Sequence, residues 1–291
     1  MIQFKLFDYQ AVKKPVNVAS VPMRSPFRYP GGKTWLIPQI RQWLKSLGPD
    51  IILIEPFAGG GIVSLTAAFE NLAKKIIMVE KDEDIASVWR TILGKEGKWL
   101  AERIVSFDIS PENVQTVFKE THVSSNERAF KTILRNRISH GGILAEGSGL
   151  IKKGENGKGL RSRWYAQTLG RRILDIQDVE SKIEFIEGDG LEVIKANTKC
   201  SNAAFFIDPP YVKASRRLYR YFDIDHKYLF ELMSKVDGDF LMTYDDVEEI
   251  RSLADIYGFE IKSVVMKTTH HEKKFELLIG RDLSWLRCFE S

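Results

Sequence analysis

A short apolar segment followed by a glycine-rich turn places the strongest constraint on the fold. Residues 51–54 form a continuously apolar run, which is typical of a strand in a parallel sheet covered on both faces. The run leads into Glu55-Pro56-Phe57-Ala58-Gly59-Gly60-Gly61 and then into a predicted helix over 62–71. This order of strand, turn and helix predicts the nucleotide-binding first unit of a doubly wound α/β fold.

The chemistry of this turn differs from that of a dinucleotide site. The spacing after Gly61 does not continue a GxGxxG pattern, and Glu55 and Phe57 stand where a phosphate would need neutral or basic neighbours. A cofactor with a cationic or zwitterionic end therefore fits better. A second apolar strand, over 75–79, ends in Glu80, about 20 residues beyond the glycines, where an acid accepts hydrogen bonds from ribose hydroxyls.

A second strand end carries an acid and two prolines. The apolar run 203–207 stops at Asp208-Pro209-Pro210-Tyr211, and the prolines make a stiff bend whose carbonyls no following helix can use. A carboxylate beside a free carbonyl can accept both hydrogens of a planar amino group, and Tyr211 offers a face for a flat ring. The pattern favours a site for an aromatic amine. The alternative is a turn in which Asp208 caps a neighbouring segment and Tyr211 covers the core.

Two further glycine turns are weaker candidates for ligand-binding sites. Pro30-Gly31-Gly32-Lys33 precedes an amphipathic helix, and the amides at a helix start together with Lys33 favour an anionic group. An ordinary turn explains the same residues. In Gly188-Asp189-Gly190, Asp189 is a candidate for a purine edge.

The alternation of strand and helix stops between 94 and 174, which predicts an inserted domain. We expect the catalytic domain to occupy residues 1–93 and 175–291, and the insert to be mainly helical. Between Arg128 and Arg172 there are eleven basic residues and two acidic ones. This imbalance favours a polyanionic partner, the alternative being an uncommitted basic surface. The candidate contacts are Arg135, Asn136, Arg137, Lys152, Lys153, Lys158, Arg161 and Arg163, with Arg216 and Arg217 in a predicted lid after the proline bend.

Composition excludes several other classes of protein. No apolar run approaches the ~18–20 residues that span a bilayer, and the amino terminus has no long apolar core typical of a signal peptide, so we expect a cytoplasmic protein. Cys200 and Cys288 have no metal-ligand spacing and the five histidines are scattered. No metal site is therefore expected.

With FRYPGGK, EPFAGGG, VEKD and DPPY in this order, the chain resembles the Dam-like adenine-specific DNA methyltransferases that carry a recognition domain before the catalytic motif. The resemblance implies a doubly wound, seven-stranded, mostly parallel sheet with an inserted DNA-recognition domain. It also implies S-adenosylmethionine as cofactor, double-stranded DNA as partner and, in a restriction–modification system, a cognate restriction enzyme as functional partner. The implied cofactor residues are Tyr29, Lys33, Glu55, Phe57, Gly59, Gly61, Glu80, Asp189 and Asp208, and the implied adenine-binding residues are Asp208, Pro209, Pro210 and Tyr211.

The motif suggests how an adenine amino group could become reactive. Its nitrogen is a poor nucleophile because the lone pair is delocalised into the ring. If Asp208 and the Pro209 carbonyl accept its two hydrogens, the lone pair can point at a methyl donor. A base inside a duplex must first be flipped out. Three alternatives stay open: an RNA adenine substrate, methylation of protein glutamine by the related class with asparagine at the first motif position, and a non-catalytic DNA-binding subunit.

Overall fold

The computed structural model describes residues 21–29, 31–144, 149–152, 154, 157–211, 223–267 and 273–289. Their strands form a seven-stranded sheet in the order β3-β2-β1-β4-β5-β7-β6. The first five strands in this order are parallel, and β7 runs antiparallel to both β5 and β6. The predicted fold class, a doubly wound, seven-stranded, mostly parallel sheet, is confirmed. The strands are β1 (Ile52–Glu55), β2 (Lys75–Glu80), β3 (Ile183–Glu187), β4 (Ala203–Ile207), β5 (Asp239–Asp245), β6 (Glu260–Lys267) and β7 (Lys273–Gly280).

Helices cover both faces of the sheet. They are α1 (Ile37–Leu47), α2 (Ile62–Glu70), α3 (Glu83–Ile92), α4 (Gly97–Ser106), α5 (Pro111–Lys119), α6 (Ser125–Ile138), α7 (Ala166–Gln177), α8 (Gly190–Ala196), α9 (His226–Ser234) and α10 (Glu248–Tyr257). Successive side chains of a strand point to opposite faces. In β4, Phe205 accordingly joins the core cluster on one face and Phe206 the cluster on the other.

The helices of the predicted insert share the core of the sheet. Leu100, Phe130 and Ile173 belong to one hydrophobic cluster with Met78 of β2 and Trp89 of α3. Helix α7 also runs across the predicted boundary at residue 174. In the described part of the chain, the span 94–174 therefore packs against α3, which itself lies on β2 and β3.

The strand order explains where a site can form. Strands β1 and β4 are parallel neighbours, with Ile54 opposite Phe205, and the chain winds outward from this pair in both directions. In open α/β sheets, ligands bind at the carboxyl ends of the strands where the winding direction reverses. Glu55 and Glu80 are the last residues of β1 and β2, and Asp208 directly follows β4. Three acids thus meet at one edge.

Two features that define other classes of protein are absent from the described residues. No helix found there has both the length and the apolar character required to cross a membrane. The same residues contain no group of three or more histidine, cysteine, aspartate or glutamate side chains arranged to hold a metal ion.

Candidate active site

A cavity of about 570 Å³ opens at the carboxyl ends of β1, β2 and β4. The glycine-rich turn after β1, the segment around Tyr29 and the start of α8 form its walls. It brings together most of the residues predicted from sequence: Tyr29, Lys33, Glu55, Phe57, Gly59, Gly61, Glu80, Asp189, Asp208 and Pro210.

The two oxygens of the Asp208 carboxylate have different surroundings. Oδ1 lies 2.9 Å from Lys33 Nζ and accepts a hydrogen bond of 2.8 Å from Thr243 Oγ1. Among the described residues, the polar contacts of this carboxylate go to Oδ1, and its side chain is 22% exposed. One oxygen is thereby anchored, while Oδ2 stays available for a ligand.

Lys33 is buried at the base of this arrangement. Its ammonium also donates to Gly31 O at 2.8 Å and lies 3.7 Å from Glu276 Oε1. Burial lowers the pKa of Lys33, but the carboxylates of Asp208 and Glu276 together outweigh this effect and hold the pKa above its ordinary value. Lys33 therefore stays charged at neutral pH and fixes Asp208.

Tyr211 lies behind the cavity. Its hydroxyl donates to Glu276 Oε1 at 3.0 Å, and its ring stacks on Tyr244 with centroids 6.1 Å apart. Lys33 Nζ lies 5.0 Å from the centre of the Tyr211 ring. The ring is thus held by residues of β5 and β7.

Thr243 and Glu276 are functional candidates that sequence reasoning missed. Thr243 lies in β5 and Glu276 in β7, and the two strands pair antiparallel with Asp245 opposite Glu276. Glu276 is 4% exposed, and its Oε2 has no hydrogen-bond partner among the described residues. Burial and the charge of Asp208 raise its pKa, partly offset by Lys33. An acid in the apolar run FELLIG was the available signal.

Glu80 joins the end of β2 to the glycine-rich turn. Its Oε2 accepts from Gly59 N at 2.9 Å and its Oε1 from Asp82 N at 2.8 Å. Burial raises the pKa of Glu80 to about 7. A carboxylate has about four acceptor positions, so Glu80 can still accept from a ligand hydroxyl.

Glu55 is held by the first turn of α2. Its Oε2 accepts from Ser64 N at 2.9 Å and from the Ser64 hydroxyl. Burial, with a smaller contribution from the charges of Asp208 and Glu80, raises the pKa of Glu55 to about 8. The cavity thus contains two carboxyl groups, those of Glu55 and Glu80, whose ionised forms a positively charged ligand would stabilise.

Close packing requires glycine at two positions around the cavity, one in the turn after β1 and one at the start of α8. At Gly59 the backbone has φ +48°, and an added Cβ would lie 2.6 Å from the Tyr29 ring. At Gly190 an added Cβ would lie 2.2 Å from Pro56 O. The neighbouring Asp189 caps α8 by accepting from Leu191 N at 2.9 Å, and it pairs with Lys81 at 2.7 Å.

The structure corrects the expectation for two residues of the basic segment. Asn136 is fully buried, and its amide bonds to the backbone of Arg28 and to Gly142 O. Arg137 is 5% exposed and donates to Pro26 O. Both side chains lie inside the fold because α6 packs this face against the 25–28 segment, so they are not surface contacts for DNA.

The other predicted basic contacts divide into three groups. Arg135, Lys152, Lys158 and Arg161 are exposed, and Arg163 is half-buried. Arg161 already pairs with Asp108 at 3.4 Å. Lys153, Arg216 and Arg217 lie outside the described residues.

Comparisons with known proteins address the family. The rRNA methyltransferase aviRa from Streptomyces viridochromogenes is 13% identical, with a TM-score of 0.40 over 94% of this chain and 96% of that one. A putative RNA methyltransferase, PH1948 from Pyrococcus horikoshii, is 11% identical, with a TM-score of 0.40 over 94% and 91%. These likenesses are too distant to indicate a substrate, and a comparison with curated proteins found no match.

The family described as D12 class N6 adenine-specific DNA methyltransferase matches residues 29–270. Since this match spans most of the chain, the protein belongs to the D12 class of N6 adenine-specific DNA methyltransferases.

Proposed function

We propose that this enzyme transfers a methyl group from S-adenosylmethionine to the 6-amino group of an adenine within a specific double-stranded DNA sequence. The observation that carries the proposal is the Asp208 carboxylate at the cavity. Lys33 and Thr243 hold its Oδ1, and its Oδ2 is available to a substrate amino group.

The cavity residues fit S-adenosylmethionine. Glu80 has remaining acceptor capacity for ribose hydroxyls and is held by the turn that would contact the cofactor. Glu55 and Glu80 are buried carboxyls with raised pKa values, which suits a cofactor that carries a sulfonium and an ammonium. When bound, the cofactor supplies an electrophilic methyl group. Gly59 and Gly61 let the turn pack closely against Tyr29 and Trp89, because an added Cβ would meet those side chains, and this packing fixes the wall that the cofactor would contact.

The residues of the chain would prepare the amino nitrogen for attack. Asp208 Oδ2 and the Pro209 carbonyl would each accept one amino hydrogen, which draws the nitrogen toward tetrahedral geometry and frees its lone pair. Lys33 keeps the carboxylate oriented. Transfer would be direct, with no covalent intermediate on the enzyme.

Access to this site requires the adenine to leave the duplex. Flipping costs a few kcal/mol, which contacts along the DNA backbone would offset. Arg135, Lys152, Lys158 and Arg161 are exposed on the span that carries the basic excess, and we assign them, with Lys153, Arg216 and Arg217, to the DNA surface.

The proposal is tested by methyl incorporation into a random-sequence DNA pool, followed by mapping of N6-methyladenine. We expect modification at one recognised sequence and loss of at least 100-fold in rate with Asp208→Ala, since that change removes an acceptor worth several kcal/mol in the transition state. An RNA pool of matched sequence is the control. Preferential methylation of RNA, or full activity of Asp208→Ala, would contradict the proposal.

A further inference from the structure

Residues 25–29 form part of the wall of the larger cavity and pack against the glycine-rich turn. Four of these five residues line the cavity, and we call the five together the strap. A Cβ added at Gly59 would lie 2.6 Å, and one added at Gly60 2.9 Å, from the nearest side-chain atom of Tyr29. The Tyr29 ring therefore lies directly against the turn that the cofactor would contact.

One buried amide holds the end of the strap beside Tyr29. Arg28 N donates to Asn136 Oδ1 at 2.9 Å, and Asn136 Nδ2 donates to Arg28 O at 3.0 Å and to Gly142 O at 2.7 Å. An asparagine amide offers one accepting oxygen and two donor hydrogens, and the fully buried Asn136 uses its oxygen and both hydrogens here. The residue before Tyr29 is thus paired at both its backbone N–H and its carbonyl.

Two arginines hold the other half of the strap. Arg172 Nη1 donates to Ser25 O at 3.2 Å, and Arg137 Nη2 donates to Pro26 O at 2.5 Å. Residues 25–28 belong to no helix or strand, and irregular backbone inside a fold needs hydrogen-bond partners for its polar groups. Side chains of α6 and α7 supply such partners at three residues of the strap.

We propose that Asn136, Arg137 and Arg172 are positioning residues for the cofactor. By pairing the backbone of the strap, they keep the Tyr29 ring packed on the glycine-rich turn, and this packing holds the turn in the shape that binds S-adenosylmethionine. This inference rests on the proposed function. None of the three side chains is among the described residues that line the cavity, so they act through Tyr29 and do not touch the ligand.

The effect of a weakened strap follows from the populations of its packed and unpacked arrangements. If the strap leaves the turn in part of the cofactor-free molecules, only the remaining fraction can bind, and the apparent dissociation constant rises in proportion. Bound cofactor selects the packed arrangement, so the rate of methyl transfer at saturating cofactor stays the same. Loss of a strap contact should therefore change cofactor affinity and leave kcat unchanged, whereas general damage to the active site would lower both.

Arg172 is the residue to change, because it is half-buried whereas Asn136 and Arg137 are buried in the core. Calorimetry measures S-adenosylmethionine affinity for the wild type, Arg172→Gln, Arg172→Lys and the matched control Arg281→Gln. Arg281 Nη2 also donates to a backbone carbonyl, Val236 O, at 2.6 Å. It directly follows β7, at the sheet edge opposite the cavity.

A Tyr29→Ala background separates positioning from other roles of Arg172. If Arg172 acts through the Tyr29 ring, Arg172→Gln should have little further effect once the ring is gone, and the two changes should not add. Urea unfolding of every variant establishes that folded proteins are compared.

We expect Arg172→Gln to weaken cofactor affinity by about tenfold, because a charged hydrogen bond to the strap is lost. Its kcat at saturating cofactor should match that of the wild type. Arg172→Lys, which keeps a charged donor, should recover most of the affinity, and Arg281→Gln should retain it. In the Tyr29→Ala background, Arg172→Gln should weaken binding by no more than about twofold.

Unchanged cofactor affinity in Arg172→Gln would overturn the proposal. An equal loss of affinity with and without the Tyr29 ring, or a fall in kcat as large as the fall in affinity, would do the same, since Arg172 would then act by another route. Weaker DNA binding with unchanged cofactor affinity would also overturn it, because Arg172 would then be a DNA contact. Failure of the proposed function is a separate result, since it appears in the wild type as absence of S-adenosylmethionine binding or of methyl transfer to DNA.

Discussion

Individual side chains in this site act through their neighbours. Asp208 has one oxygen occupied by Lys33 and Thr243, so its orientation is set before any substrate arrives. Glu276 plays the same part for Tyr211, since it accepts the phenol hydrogen bond and lies 3.7 Å from Lys33. The Asp208 side of the cavity is therefore one connected set of hydrogen bonds and ion pairs extending over β4, β5 and β7.

Tyr211→Phe should lower kcat by about tenfold while leaving cofactor affinity unchanged. The change removes the 3.0 Å hydrogen bond to Glu276, whose loss is worth about 1.5 kcal/mol for a charged acceptor, but keeps the ring. Single-turnover methyl transfer and calorimetry provide the two measurements. Tyr257→Phe is the control because its ring packs in the same hydrophobic cluster. Equal effects of both changes would show that the Tyr211 hydroxyl has no positioning role.

Glu80→Gln should weaken S-adenosylmethionine binding at least tenfold and remove its dependence on pH. The pKa of Glu80 is about 7, so the wild-type carboxyl is protonated at pH 6 and ionised at pH 8. As the ionised form is the better acceptor for hydroxyls, wild-type affinity should rise over this interval. Calorimetry at pH 6 and pH 8 measures this affinity. Glu187→Gln, at the position paired with Glu80 on the next strand, should leave affinity and its pH dependence intact; a flat wild-type profile would contradict the assignment.

At the level of elements, the site depends on close approach between turns. The turn after β1 is fixed by Glu80 on one side, by Trp89 Nε1 donating to Gly59 O at 2.9 Å, and by the Tyr29 ring. Side chains from β2, α3 and the amino-terminal segment thus hold a single glycine-rich turn. The turn can therefore change its shape only if these elements move.

Gly59→Ala should reduce cofactor affinity by more than tenfold. The new Cβ would lie 2.6 Å from a rigid aromatic ring, at a backbone φ of +48°, so the turn and Tyr29 must separate. Gly258→Ala is the matched control, because φ is +69° but nothing lies within 4 Å of the added Cβ. The control should lose only about 1 kcal/mol of stability from backbone strain and retain affinity. Similar cofactor affinities in the two variants would show that the close approach is unimportant.

For the molecule as a whole, the buried acids at the sheet edge make stability depend on pH. Glu55 has a folded-state pKa of about 8 against an ordinary value of 4.5. A carboxyl with a raised pKa favours the folded state below its unfolded-state pKa. That contribution is lost as the pH rises through the folded-state value.

Glu55→Gln should therefore alter how the free energy of unfolding varies with pH. Its effect on the free energy of unfolding at acidic pH should be smaller. Between pH 5 and pH 8 the cofactor-free wild type should lose stability relative to the variant, by at most about 5 kcal/mol. Urea unfolding of both proteins at several pH values measures the difference. Parallel profiles would show that Glu55 is not the group responsible.

Much of the fold followed from local patterns. The helix over 62–71 was predicted within one residue of Ile62–Glu70, and the strands over 51–54, 75–79 and 203–207 each agree within one residue with β1, β2 and β4, because hydrophobic periodicity and glycine and proline turns are short-range signals. The same signals placed Glu55, Glu80 and Asp208 at strand ends. Since parallel strands present their carboxyl ends at one edge, the convergence of these three acids could be expected from the sequence alone.

Long-range packing decided the rest. Thr243 reaches Asp208 across 35 residues, and Glu276 reaches Tyr211 across 65, because β5 lies beside β4 and β7 returns antiparallel to β5. No local pattern encodes that adjacency. Asn136 and Arg137 are residue types that commonly contact DNA, yet the packing of α6 buries both side chains in the core. Residue type can indicate which partner a side chain suits, but its exposure depends on which elements pack over it, and that is settled only when the whole chain has folded.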